Sequence, residues 1–341
     1  MNDKSPTNLH GFPEQNQIHK PWGEAERAVR RGRILKSLKG MTGEKLVYRT
    51  QSSLERGRKW LRVQQTAHPT MAKSPVFIFG SNRSGTQMVC EAIGRSPHSW
   101  DYRESEFSPA FNSYYLRPDW LIKWLIRLSP APIVCFGSIL DSQSADNILE
   151  RFNGAMALWV YRRFEDAANS SVRNWDHMND LVRLVAQGEP ERLGARGNRI
   201  SPDTIRLFSE LFHDDLSSES GACLYWYMRN QIFFDLDLDK DPRVLLVQYE
   251  DTVLNKERSF RRIFDFIGFP YDPAIISDVF ASSVGKHSWP GVEQRVQEVC
   301  EDLKTRLDAR YAETSDWIPF EQERTNDSHR RLYYQPQRSF R

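Results

Sequence analysis

The 341-residue chain has only four cysteines, Cys90, Cys135, Cys223 and Cys300. None forms a C-x-x-C pair and they lie far apart, which argues against a cysteine zinc site and against a disulfide-built fold. Cys90, Cys135 and Cys223 stand in apolar surroundings and read as small buried hydrophobes. No apolar run approaches the roughly 20 residues of a membrane-spanning helix. The best stretch, 120–128, is broken by Lys123 and Arg127. The first twenty residues are polar, with no apolar signal region, so a cytoplasmic protein is the expectation. Charge of one sign is not in excess: 47 Lys+Arg face 45 Asp+Glu, a net of +2. That balance argues against a protein that coats nucleic acid, and no nucleic-acid partner is expected. No His, Cys or carboxylate spacing asks for a metal.

Aromatics are plentiful, with 10 Trp, 12 Tyr and 19 Phe in a chain that is 39% hydrophobic, too apolar for disorder. The small net charge hides an asymmetry. Residues 1–73 hold 15 Lys+Arg and 6 Asp+Glu (15 − 6 = +9), so the other 268 residues sum to −7. This divides the chain into a basic, partly helical extension (1–73), an α/β body (74–310) and a tail (311–341). Within the extension, 23–39 forms an amphipathic helix with Ala25, Ala28, Val29, Leu35 and Leu38 near one face and Arg27, Arg30, Arg31 and Lys36 on others. A second helical stretch runs over 43–63. Packing of the helix pair on the body, with its basic side solvated, is the simpler reading. The other is peripheral contact of 23–39 with an anionic membrane surface, the inner membrane face for a cytoplasmic protein.

The body carries four short apolar runs, 76–79, 132–136, 157–161 and 244–248, separated by helical sequence. Runs of this kind predict buried parallel strands, hence a central parallel sheet flanked by helices on both faces. Helices are predicted over 84–95, 141–152, 166–175, 202–212, 222–234, 256–267 and 293–307, with 188–201 a long loop. Asp141 is placed to cap the second of these. Trp226, Arg229 and Asn230 share a helix face that packs or lines a cleft.

The strongest local signal is Phe77-Ile-Phe-Gly-Ser-Asn-Arg-Ser-Gly-Thr-Gln87. A buried strand enters a turn and then a helix. Gly80 and Gly85 allow close backbone approach, helix-start amides face an anion, and Ser81, Ser84 and Thr86 add hydroxyls. Arg83 adds a fixed charge. The loop is a phosphate cradle, yet it is not a Walker A loop: Thr86 and Gln87 stand where Lys and Ser/Thr would follow the second glycine.

Asn82-Arg83-Ser84-Gly85-Thr86 resembles the P-R-S-G-T-T loop of the sulfotransferases that use 3′-phosphoadenosine 5′-phosphosulfate (PAPS). Asn82 replaces their Pro, and Gln87 their second Thr. Val160-Tyr-Arg-Arg-Phe-Glu-Asp-Ala-Ala-Asn-Ser170 resembles their R-D-P-R-D-x-x-x-S segment, with Phe164 in place of Pro. Tyr249-Glu-Asp251 and the helix through Phe260, Ile263, Phe264 and Ile267 to Gly268 resemble their last core strand and helix, and read as bracing and packing. Ser282–His287 resembles the loop that closes over the nucleotide, with Lys286 its basic residue.

The resemblance implies a P-loop-like three-layer α/β fold and sulfuryl transfer from PAPS to an acceptor hydroxyl by in-line displacement. No metal is called for. The acceptor would be a small molecule, glycan or glycolipid. It implies that Gly80, Ser81, Asn82, Arg83, Ser84, Gly85, Thr86 and Gln87 hold the 5′-phosphosulfate. Arg162 and Ser170 would hold the 3′-phosphate, and Lys286 would close over both. The ordinary reading of Arg162 and Ser170 is a solvated strand end and a helix-surface hydroxyl. Catalysis falls to Arg83 and to a carboxylate base. Glu104, 21 positions after Arg83, matches the base spacing of the tyrosylprotein branch of the family. Glu106 is second, and His177 and His287 are possible replacements. Two other functions stand beside this one: a P-loop nucleotide kinase or NTPase, and a catalytically inactive nucleotide-binding scaffold.

Overall fold

The computed structural model describes residues 57, 59–61, 63, 72–105, 108–175, 177–280 and 291–315. The helix expected over 23–39, most of that over 43–63, Glu106, Lys286, His287 and residues 316–341 lie outside them. The chain divides into a unit of residues 1–59 and one of residues 60–341. Every strand and helix named here belongs to the second.

β1 (Ser74–Gly80) runs into helix α1 (Thr86–Arg95) and the short strand β2 (Ser99–Tyr102). A small antiparallel pair follows, β3 (Phe111–Asn112) and β4 (Tyr115–Leu116), then α2 (Asp119–Leu128), β5 (Ile133–Gly137) and α3 (Ala145–Arg151). Next come β6 (Met156–Tyr161), α4 (Phe164–Val172), α5 (Met178–Ala186), α6 (Pro202–Leu211) and α7 (Ser218–Asp235). The chain finishes with β7 (Val244–Gln248), α8 (Tyr249–Leu254), α9 (Lys256–Ile267) and α10 (Gln294–Ser315).

The five long-range strands form one parallel sheet in the order β2-β5-β1-β6-β7. The four predicted strands are all present. β2 went unpredicted because Ser-Trp-Asp-Tyr is short and half polar, as befits an edge strand. Successive side chains of β1 enter two cores. Phe77 and Phe79 join an aromatic core on one side, with Phe77 stacked on Phe136 at 5.1 Å between ring centres. Val76 and Ile78 join an aliphatic core on the other, against Val89 and Ile93 of α1 and Phe260, Ile263, Phe264 and Ile267 of α9. Each fully buried side chain of this size contributes about 1.5–3 kcal/mol. The sheet thus lies between two helical layers, as the sequence predicts.

Helix ends follow local chemistry. Ser201 and Ser217 cap α6 and α7 by accepting from Thr204 N–H and Ser220 N–H, and Gly268 (φ +78°) ends α9 in the left-handed region. Three expectations need correction. Residues 141–152 begin as a 3₁₀ turn (Ser142–Ser144) before α3, and Asp141 makes no capping hydrogen bond. The loop 188–201 contains a 3₁₀ segment, Pro190–Gly197. The last helix continues to Ser315, past its predicted end at 307; in the added turns Tyr311 donates to Asp251 Oδ2 (2.5 Å) and packs edge-on to Tyr161. α2, α5 and α8 are additional helices. No helix among the described residues is long and apolar enough to cross a membrane.

Candidate active site

Most of the candidate residues that can be described lie just past a carboxyl end of the parallel sheet; Ser170 sits within α4 and His177 before α5. Ser81–Thr86 follow β1, Glu104 follows β2, Ser138–Gln143 follow β5, Arg162 follows β6 and Tyr249 follows β7. In a parallel α/β sheet this edge gathers the loops that bind ligands, where the chain changes its winding direction beside the central strand. Here that strand is β1, with β5 on one side and β6 on the other.

The loop after β1 is held open by glycine. A Cβ on Gly80 (φ +143°) would meet the backbone oxygen of Val160 at 2.2 Å, and one on Gly85 (φ +89°) would meet the Tyr249 ring at 2.2 Å. Ser142 Oγ donates to Gly80 O and accepts from Gly80 N–H, both at 3.1 Å, which ties the loop to the turn after β5. Unlike α6 and α7, α1 has no side-chain cap, so its first amides face the loop. Ser81, Ser84 and Thr86 are buried. Ser84 Oγ and Asn82 Oδ1 are enclosed and have no hydrogen-bond partner among the described residues. Arg83 is exposed, while Gln87 turns along the helix and donates to Glu91 Oε1 (3.0 Å).

Arg83 and Ser170, 87 positions apart, meet: Arg83 Nε donates to Ser170 Oγ at 2.7 Å. Arg162 is only 8% exposed, so it is not a solvated strand end. Its Nη1 donates to Arg83 O (3.3 Å), and its guanidinium lies over the Tyr249 ring at 4.7 Å. Asp166 and Glu250 flank it at 3.8 and 3.9 Å. Trp226 Nε1 donates to Arg162 O (2.9 Å), so the face of Trp226, Arg229 and Asn230 is a buried packing face that also fixes this loop.

Glu104 Oε1 accepts the Leu140 N–H at 2.9 Å. Burial pushes its carboxyl up from 4.5 to about 8; the Leu140 and Ile139 amides and Arg229 oppose the rise, and Asp141 adds to it. Asp141 Oδ2 accepts from Leu116 N–H (3.0 Å) and Ser138 Oγ–H (2.9 Å), and burial raises it to about 6. Arg229 is fully buried, donating to Gln143 Oε1 (3.1 Å) and Ile139 O (2.8 Å). His177 is exposed at the residue before α5. The sequence did not single out Ser138, Ser142, Gln143 or Tyr115. For the first three the signal is position after the end of β5, which becomes informative once the strand order is known; Tyr115 lies within β4.

No group of His, Cys, Asp and Glu among the described residues could hold a metal. A family model described as the sulfotransferase domain matches residues 73–305. No curated protein matches the chain. Several solved structures are similar. The sulfotransferase domain from the curacin biosynthetic pathway is 15% identical, covering 69% of this chain and 99% of that chain, with a TM-score of 0.45. A sulfotransferase from Alicyclobacillus acidocaldarius is 16% identical over 72% and 96%, with a TM-score of 0.40. Mouse sulfotransferase SULT7A1 complexed with PAP is 17% identical over 65% and 68%, with a TM-score of 0.37.

Proposed function

The chain belongs to the sulfotransferase domain family, and from that membership we propose that it transfers the sulfuryl group of PAPS to the hydroxyl of a carbohydrate, glycolipid or small metabolite. The observation that carries this reading is the Arg83–Ser170 contact, which joins the two phosphate-binding segments beside a buried carboxylate, Glu104. The residues fit such a nucleotide. The uncapped start of α1, the Ser84 hydroxyl with no partner among the described residues and the two glycine close approaches suit the binding of an anion.

Bound, PAPS supplies an activated sulfuryl group on a phosphate leaving group. The amides at residues 84–87, with Ser84 and Thr86, would hold its 5′-phosphate. Gly80, Ser81 and Gly85 shape the turn, and Asn82 and Gln87 border it. Arg162 and Ser170 would hold the 3′-phosphate, with Lys286 the closing residue in a segment outside the described residues. Arg83 balances charge on the departing oxygen. Glu104 accepts the acceptor's proton, and a carboxyl raised to about 8 is matched to that work near neutral pH. Glu106 and His287, both outside the described residues, and the exposed His177 are the replacement bases.

A thermal-shift comparison with a radiolabelled-PAPS assay tests this. Adenosine 3′,5′-bisphosphate should stabilise the full chain and Mg·ATP should not. The reverse result would favour a P-loop kinase or NTPase, and bisphosphate binding without turnover on any acceptor an inactive scaffold.

A further inference from the structure

Arg229 lies within α7 with its side chain fully enclosed, and no carboxylate is hydrogen-bonded to it among the described residues. Its guanidinium donates to two neutral oxygens of the turn after β5: Nη2 to Ile139 O at 2.8 Å and Nη1 to Gln143 Oε1 at 3.1 Å. Enclosing a guanidinium costs hydration that neutral acceptors only partly return. A leucine or methionine would fill the same helix position without that cost, so packing does not account for the charge.

The two acceptors differ in what lies behind them. Ile139 O belongs to the peptide unit that joins Ile139 to Leu140, and the N–H of that same unit is the one Glu104 Oε1 accepts at 2.9 Å. In a planar trans peptide the C=O and N–H point in opposite directions. Arg229 and Glu104 therefore sit on opposite sides of one peptide group, a cation at its oxygen and a carboxyl at its hydrogen. A charged donor on the carbonyl polarises the amide and makes its N–H a stronger donor. Ser142 Oγ stands 2.7 Å from the same carbonyl oxygen, and Ser142 also ties down Gly80 of the phosphate turn. Three residues earlier on α7, Trp226 holds Arg162 O at 2.9 Å. One face of α7 thus fixes both the second phosphate segment and the turn against Glu104.

We propose that Arg229 is a positioning residue for the base: through the single peptide unit joining Ile139 to Leu140 it holds and polarises the N–H that Glu104 accepts, so that Glu104 gives up its own proton and can take up the acceptor's. The inference rests on Glu104 being the base of the sulfotransferase reading. The ionisable groups that act on Glu104 come from two elements, Asp141 from the turn after β5 and Arg229 from α7. Arg103, its neighbour in the chain, is turned to Asp101 (3.0 Å) and Glu91 (2.7 Å). Burial and Asp141 oppose ionisation of Glu104, while the Leu140 and Ile139 amides and Arg229 favour it.

The test uses the full chain, labelled with ¹³C at its Glu carboxyls and titrated by NMR without ligand, the Glu104 signal being assigned by its loss in Glu104→Gln. The wild-type midpoint is expected at about 8. Arg229→Gln should raise it by about one pH unit. Arg229→Lys, which keeps the charge but not the fork, should fall between the two. In a radiolabelled-PAPS assay at pH 7, Arg229→Gln should lose about tenfold in kcat/KM, and the deficit should close as pH rises past the new midpoint. Affinity for adenosine 3′,5′-bisphosphate should be unchanged. A Glu104 midpoint that stays in place in both variants overturns the assignment. So does a rate deficit equal at every pH, or one accompanied by weakened bisphosphate binding, since a purely structural arginine would give either. If Arg229→Gln does not fold, Arg229→Lys decides alone, and a wild-type midpoint there overturns the assignment. Full activity in Glu104→Gln removes the base reading, and the positioning role with it, whatever the Arg229 variants show.

Discussion

Arg83 and Ser170 are hydrogen-bonded at 2.7 Å, one on the turn after β1 and the other on the helix after β6. Arg83 holds a φ of +66°, a left-handed backbone that costs a non-glycine residue about 1–2 kcal/mol. Glycine would suit the turn better, so it is the side chain that accounts for arginine here.

Arg83→Gly is therefore expected to fold at least as stably as the wild type and to lose activity. The loss in kcat should be about 10²–10³, the scale for removing one fixed charge-stabilising donor. Chemical denaturation and a sulfuryl-transfer assay read the two effects separately. Arg83→Ala and Ser170→Ala should be non-additive in bisphosphate affinity, with a coupling of about 0.5–3 kcal/mol in a double-mutant cycle.

Glu104 supports a prediction of opposite signs for stability and rate. Its carboxyl rises from 4.5 to about 8 on folding, chiefly through burial. Between those values the folded chain keeps a proton that the unfolded chain has lost. The stability due to this group is therefore complete below about pH 4.5 and falls as pH rises toward 8. Glu104→Gln should flatten that slope and raise the denaturation midpoint at pH 8. The rate should run the other way, with wild-type kcat/KM climbing until pH reaches about 8, and Glu104→Gln should cost about 10²–10⁴ in kcat. Full activity in the variant would remove Glu104 from the mechanism.

Ser84 carries a buried hydroxyl with no partner among the described residues. Leaving such a group unsatisfied costs about 1–3 kcal/mol. Ser84→Ala should leave the ligand-free chain as stable or more stable in denaturation, and weaken bisphosphate binding about tenfold or more by calorimetry.

Gly80 and Gly85 should differ in how they can be rescued. Alanine at 80 would drive a Cβ into the Val160 carbonyl, which belongs to the central sheet, and alanine at 85 would drive one into the Tyr249 ring. Both should destabilise by about 1–3 kcal/mol from backbone strain alone. Tyr249→Ala should relieve much of the Gly85→Ala effect and none of the Gly80→Ala effect, measured as denaturant midpoints.

Local chemistry was legible in the sequence. The four apolar runs gave four of the five sheet strands, because a strand buried on both faces needs an unbroken apolar run. Gly80, Gly85, the hydroxyls and Arg83 announced the anion turn, since few other functions need that set together. β2 was hidden by its polar half, and Asp141 read as a helix cap because one of its partners, Leu116 N–H, lies 25 positions away. Arg229 looked like one polar residue in an apolar helix. Its meaning came from Ile139 and Gln143, some 90 positions away.

The sequence alone determined a parallel α/β sheet, a phosphate-binding turn after its first strand and a second basic segment after a later one. These depend on hydrophobic period, glycine and residue type within a few positions. Only the tertiary structure decided that Arg83 reaches Ser170, that Arg162 is buried against the Tyr249 ring, and that Glu104 accepts the Leu140 N–H. The strand order β2-β5-β1-β6-β7 brings five loops to one edge. Burial at that edge, where water no longer screens a carboxyl or a guanidinium, is a property of the assembled sheet.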